Sequence, residues 1–497
     1  MKKILSAILV MVSISASIAQ VQKKSTAASK VVADIEKLVT RSEVEAPLTF
    51  LSADEMRGRD TGSPELDIAA NYIASNFRQL GVKTLPGADR YFQSVDILKT
   101  EPVTGGELRF GADAFMFKDN FVALDWSNLD WNGEFVYVGY GAEGEIPADV
   151  KGKVVVAIAG APDARNVNAI FIASMEKFAR VKAAGGAGLI EYFVTLPFPW
   201  PAVASYFASN PKIALGNGAG APHLWMKDSE SAGMKELKEK KKVNGSIKLT
   251  SGKQTKIPAK NVIGKIEGTD PKLREEHLVI SAHYDHVGIG AKKNQDSIYN
   301  GARDNALGTV GMLTAAKFFS KNPPKRSVLL MALTAEEKGL LGSAWYAEHP
   351  LIPLEKTIFD LDCDGAGYND TTVTTVIGLE RTSAEMDIAK ANTQFGLKAI
   401  KDPVPQENLY ERSDNYNFAK KGVPAVDFAP GVTAFDAEIM KYYHQPADEV
   451  GSLSFGYLVR FYRAFVYANY LIANGEKVPT WTAGDKFEPV GKSLYRK

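Results

Sequence analysis

Three short apolar runs in the second half of this chain each stop at, or just before, an acid or an imidazole. His277-Leu278-Val279-Ile280-Ser281-Ala282 ends at His283. Arg326-Ser327-Val328-Leu329-Leu330-Met331-Ala332-Leu333 is followed by the pair Glu336-Glu337, and Thr357-Ile358-Phe359-Asp360-Leu361 ends at Asp362. Runs this short and this apolar, bounded by polar residues, read as buried strands. They predict an α/β fold, a mixed, mostly parallel sheet flanked by helices. In open sheets of that kind ligands bind in the crevice beyond the carboxyl ends of the strands, which is where these side chains fall.

Each polar residue taken alone has an ordinary explanation. Asp304 opens a helical pattern that continues through Phe318, so by itself it reads as a helix cap. Adjacent glutamates on a loop are usually solvated charge. Asp360 and Asp364 are rivals to Asp362, and His444, between Tyr443 and Gln445-Pro446, alone reads as a loop histidine. Taken together, His283, Asp304, Glu337, Asp362 and His444 form a mixed nitrogen-and-oxygen set suited to zinc. One carboxylate shared by two ions about 3.5–4 Å apart is the arrangement of two-metal hydrolases. Asp285, two residues beyond His283, is spaced to accept the second N–H of the imidazole. Glu336, one residue before a ligand, is placed to act as a base.

The order H-x-D, D-N-A-x-G, E-E-x-G-L-x-G-S, L-D and Y-H-x-P resembles the co-catalytic di-zinc aminopeptidase family of metallopeptidases (clan MH). The resemblance covers about residues 256–475, with Leu51 to Ser63 resembling the family's opening motif. It implies two zinc ions: His283 and Asp362 on one, Glu337 and His444 on the other, Asp304 bridging. It implies that Glu336 is the general base, that Tyr410 stabilises the oxyanion, and that the Asp304–Asn305 peptide bond is cis. The implied substrate is a peptide with a free N-terminus, its α-amine beside the second zinc.

The chain departs from the family pattern at three points. Arg303 stands where an acidic residue is common, Cys363-Asp364-Gly365 replaces Met-apolar-Gly, and Asn415 stands where histidine is frequent. Arg303 needs a carboxylate partner, with Asp364 and Asp414 as candidates, unless it reaches the substrate's terminal carboxylate. The alternative readings are a carboxypeptidase or dipeptidase with a cationic clamp at Arg303 or Arg412, a one-zinc glutaminyl cyclase, and a binding scaffold that has lost ligands.

With 497 residues, the chain exceeds what one core usually holds. The expected parts are a signal peptide at 1–19, the start of the catalytic domain at 20–118, an insert at 119–255, the catalytic domain at 256–475 and a tail at 476–497. The insert is expected to be smaller and β-rich, because Val138-Gly139-Tyr140-Gly141 and Lys182 to Ala187 resemble a protease-associated domain. Lys2-Lys3, an apolar run and Ser17-Ile18-Ala19 form an export signal, too short for a membrane span, which predicts a periplasmic or extracellular protein. With Cys363 as the single cysteine no internal disulfide can form. A net charge of +1 without a basic block argues against nucleic acid as a partner.

Overall fold

The structure is a computed structural model, and it describes residues 29–496 except 112, 165, 166, 217–219, 228 and 229. The expected signal peptide lies outside the described residues. Among those described, no helix is long and apolar enough to cross a membrane. The chain forms two compact units. The described residues up to Val95 join those from Pro258 onward, and Asp96–Ile257 form the second unit. The insert thus begins well before the expected residue 119. The tail is part of the first unit: the Trp481 indole donates to the Gly422 carbonyl, and the Tyr495 hydroxyl to that of Thr357.

The strands that frame the site in the first unit are β1 (Gln254–Ile266, which enters the unit at Pro258), β2 (His277–His283), β3 (Ser327–Leu333), β4 (Thr357–Asp362), β5 (Val373–Ile377), β6 (Lys398–Ile400) and β7 (Ala425–Pro430). Their order in the sheet is β6-β5-β7-β4-β2-β3-β1. Strand β2 runs parallel to β3 and β4, and β4 runs parallel to β7, while β1 is antiparallel to β3 and β5 to β7. The expected mixed, mostly parallel sheet is therefore present.

Alternation along the strands explains why they are apolar throughout. Leu278, Ile280, Val328 and Leu330 enter one core, packed with helices α1 (Arg41–Leu51), α2 (Pro64–Gln79) and α3 (Leu307–Lys321). Val279, Leu329 and Met331 enter a second core on the other face, with Tyr346 of α4 (Leu341–Glu348) and Phe418. A strand covered on both faces has no polar side to show. The long helix α5 (Phe455–Asn474) adds Leu458, Phe461 and Phe465 to the first core. Helix α2 starts at Pro64, where the Ser63 hydroxyl accepts the Leu66 N–H and the proline occupies the first turn.

In the second unit the sheet runs Asp113–Met116, Val103–Phe110, Lys242–Ser251, Leu129–Tyr137, Val154–Ile158, Gly188–Tyr192, His223–Met226, Phe121–Asp125. The helix Val167–Ala183 carries Ser174 and Lys177, three apart and so on one face. Both meet Glu191. The Lys177 ammonium lies 2.6 Å from one carboxylate oxygen, and Ser174 and His223 contact the other. Lys177, Glu191 and His223 are all buried, so the pair is dehydrated and must be complete.

Burial opposes ionisation of Glu191, but His223 and Lys177 outweigh it and hold the carboxyl down at about 2. A depressed folded value means the stabilisation is present above the ordinary carboxylate range and is lost as pH falls towards 2. Glu191→Ala should lower stability by about 3–5 kcal/mol at neutral pH, because it strands Lys177. Urea unfolding followed by tryptophan fluorescence at pH 7 and pH 3 measures both effects, and the gap between wild type and variant should narrow in acid.

Candidate metal centre

The carboxyl ends of β2, β3 and β4 bring the reactive residues together. His283 is the last residue of β2, and Glu336-Glu337 follow β3 through Ala335, whose φ of 56° turns the chain out of the strand. Asp304 lies in the irregular turn before α3, with Asp304 and Asn305 outside helical geometry and the peptide bond between them cis. It is therefore not a helix cap.

The two oxygens of Asp304 face different partners. Oδ1 lies 3.4 Å from His283 Nε2, and Oδ2 lies 3.2 Å from His444 Nε2. His283 Nε2 is also 3.1 Å from Asp364, and His444 Nε2 is 3.2 Å from Glu337 Oε2. Two sets of donor atoms result, each within 4.8 Å: His283, Asp304 and Asp364, and then His286, Asp304, Glu337 and His444. Asp304 belongs to both. Among the described residues both sets lie in the first unit.

Asp362 is not among these donors. It is still in the ladder, paired in register with Ser281 and Asp427, and its carboxylate accepts the hydroxyls of Ser281 at 2.7 Å and Ser413 at 2.8 Å. The chain turns towards His283 only two residues later, at Asp364. The Asp285 carboxylate also differs from its expected role. The backbone carbonyl of Asp285, at 3.1 Å, meets His283 Nδ1, while its carboxylate accepts the Glu336 N–H at 3.1 Å and the Thr61 hydroxyl at 3.0 Å.

Tyr410 does not reach the centre. Its hydroxyl donates to the Ala425 carbonyl, and its ring lies against Arg381 and Phe487. The tyrosine at the centre is Tyr443. Its ring stacks on His444 with centroids 4.2 Å apart, and its hydroxyl accepts from Arg412 at 2.9 Å.

Arg303 pairs with neither Asp364 nor Asp414. Its guanidinium is sandwiched between the rings of Tyr368 and Tyr442, donates to the Ser452 carbonyl at 2.7 Å, and lies 3.7 Å from Asp448. Asp448 in turn accepts the backbone N–H groups of Arg303 and Asp304. The motif 51–63 supplies Arg59, fully buried, which donates to the carbonyls of Tyr284, Asn300 and Gly301 and so ties together the loops that carry His286 and Asp304. Gly58 beside it has φ +70°, and a Cβ there would lie 2.4 Å from the Tyr299 carbonyl.

The roles of Arg59, His286 and Asp448 were not legible from spacing, although Arg59 stands in the opening motif 51–63, His286 is the fourth residue of H-x-D-H and Asp448 is the acid of Y-H-Q-P-A-D.

The electrostatics suit cations. Burial would raise the Asp304 carboxyl, but His283 and His444 outweigh it and hold it well below the ordinary range. Burial and Asp304 likewise oppose Glu337, yet His286 and His444 hold it at about 2, and His444 is raised to about 10 by the same two carboxylates against its burial. Burial, then the carboxylates of Asp364, Glu337 and Asp414, push Glu336 well above its usual value. Imidazoles interleaved with carboxylates, most of them buried, are a donor set suited to divalent zinc.

A mixed α/β sheet whose strand ends carry a carboxylate shared by two donor sets is a candidate metal centre. Residues 261–468 match the model of Peptidase family M28, so this segment carries the M28 peptidase pattern. Aminopeptidase YwaD of Bacillus subtilis is 25% identical over 322 residues, 64% of this chain and 61% of the relative. The vacuolar membrane protease of Saccharomyces cerevisiae is 34% identical over 113 residues, 23% of this chain and 10% of the relative. The chain thus spans less than two thirds of the length of either. In fold it is similar to an aminopeptidase from Aneurinibacillus sp. strain AM-1, with TM-score 0.52 and 20% identity over 90% of this chain and 97% of that one.

Arg303→Ala should lower stability by roughly 2–4 kcal/mol, since it removes two desolvated ring contacts and leaves Asp448 buried beside a void. The denaturant midpoint measures this, and an unchanged midpoint contradicts the role assigned to the guanidinium.

Proposed function

We propose that this protein is an exported, zinc-dependent aminopeptidase that removes N-terminal residues from peptides. The observation that carries the reading is the split carboxylate of Asp304, with one oxygen towards His283 and the other towards His444. Two zinc ions are proposed, one held by His283, Asp304 and Asp364, the other by Asp304, Glu337 and His444. Asp364 is thus preferred to its rival Asp362. The M28 match and the similarity to YwaD support a peptide substrate, and the signal pattern at 1–19 supports export.

Bound zinc supplies a water acidified towards neutrality and a Lewis acid for the scissile carbonyl. The chain's own residues do the rest. Glu336, its backbone fixed by the Asp285 carboxylate and its side chain 3.9 Å from His283, takes a proton from the attacking water and returns it to the leaving amine. Tyr443, rather than Tyr410, is the phenol available to donate to the developing oxyanion. A carboxypeptidase clamp is disfavoured at Arg303, whose guanidinium is enclosed by Tyr368, Tyr442 and Ser452.

A screen of aminoacyl and carboxy-blocked peptides, with and without chelator, tests the activity. Cleavage should need a free α-amine, tolerate a blocked carboxyl terminus and stop with chelator. Glu336→Gln should keep its metal and lose about 10²–10⁴-fold in kcat. Glu337→Gln should lose metal by elemental analysis. Asp364→Ala should lose one zinc ion while Asp362→Asn keeps both, and the opposite pattern would return the ligand role to Asp362.

A further inference from the structure

His286 stands among the donors of the second set, but its hydrogen bonds are those of a group that steers a ligand. The imidazole is fully buried. Its Nδ1 lies 2.8 Å from Oε1 of Glu337, whereas Oε2 of the same carboxylate is the oxygen 3.2 Å from His444. Nδ1 is 3.9 Å from Asp304 Oδ1, beyond a hydrogen bond. The other ring nitrogen, Nε2, is buried with no hydrogen-bond partner.

The contrast with His283 decides between the two roles. His283 turns Nε2 to the carboxylates and has Nδ1 against the Asp285 carbonyl, the pattern of a ligating histidine, which almost always donates its second N–H. If His286 bound metal through Nδ1, its proton would sit on Nε2, a buried donor with nothing to accept it. Leaving such a donor unmet is unfavourable. With the hydrogen on Nδ1, the ring donates to Glu337 and leaves only a lone pair unmet.

We propose that His286 is a positioning residue: its Nδ1–H occupies Oε1 of Glu337, so that this carboxylate offers the metal a single oxygen, Oε2. The inference rests on the two-metal reading above. Its setting is rigid. The ring lies against Gly301, where a Cβ would come within 2.6 Å of His286 Cγ and Cδ2, and it meets the His444 ring edge-on at 5.5 Å between centroids. Glu337 is therefore held from behind by one imidazole and faced by another.

The side chain of asparagine can put an N–H where Nδ1 is but lacks an imidazole lone pair, so His286→Asn separates the two roles. Full-length wild type, His286→Asn and His286→Ala are stripped of metal and loaded with Co²⁺. Stoichiometry, affinity by chelator competition and the visible absorption of bound cobalt are then measured, with circular dichroism of each metal-free protein as a check on folding. His286→Ala should lose about 10–100-fold in affinity for one of the two ions, as removal of an orienting partner does, with a shifted cobalt spectrum. His286→Asn should restore most of the affinity and the wild-type spectrum. Equal losses in both folded variants, with a weakened cobalt band, would make His286 a ligand and overturn the proposal, as would no change in either. A wild type that binds a single ion refutes the two-metal reading instead, and the comparison of the two variants at that ion still decides the role of His286 by the same outcomes.

Discussion

The constraint on which this structure depends is the concentration of carboxylates buried where three strands end. Asp304, Glu336, Glu337 and Asp364 converge there, and Asp285, Asp362, Asp414, Asp427 and Asp448 are buried around them. Dehydrating a carboxylate is costly unless charge or hydrogen bonds compensate, and so many acids cannot all be met by neutral donors. The fold answers in three ways. Hydroxyls of Ser281, Ser343 and Ser413 and backbone N–H groups take the acids of the periphery. Arg59 and Arg303 bring fixed positive charge beneath and beside the centre. The central carboxylates face His283, His286 and His444, a pattern that divalent cations complete.

Those answers explain why segments far apart in sequence meet here. Residues 51–63 lie more than two hundred positions before the centre, yet Arg59 ties the loops around Tyr284, Asn300 and Gly301, and Thr61 holds Asp285. Asp448 closes the opposite side by taking the backbone N–H groups on either side of the Arg303–Asp304 link. Asp304, the proposed shared ligand, and Glu336, the proposed base, are thus fixed through their backbone N–H groups. A carboxylate positioned in that way has little freedom left to lose.

Much of this was readable in the chain. Short apolar runs without polar alternation read as strands covered on both faces, and β2, β3 and β4 are such strands, so the positions of His283, Glu336 and Glu337 at or beyond strand ends were legible, while their separate roles came only from the resemblance. Helix edges and the limits of the insert were less legible. The start of α2 is set by a cap at Ser63, and the insert's boundary at Asp96 falls within the strand Phe92–Thr100, where composition does not change.

What the sequence determined by itself is the chemistry: which residue types stand at strand ends, in what order, and hence that a mixed nitrogen-and-oxygen centre forms on an α/β sheet. What only the tertiary structure decided is which atom of each residue faces the centre. Asp362 and Asp364 differ by one strand alternation, and the ladder to Ser281 and Asp427 persists just far enough to turn the first aside and release the second. Asp285 serves His283 through its carbonyl, Tyr410 faces Ala425, and Arg303 finds Asp448 from beyond His444. Each outcome turns on the direction of a side chain across distances of a few ångströms. Spacing along the chain does not encode that direction, because it is fixed by partners brought in from elsewhere in the fold.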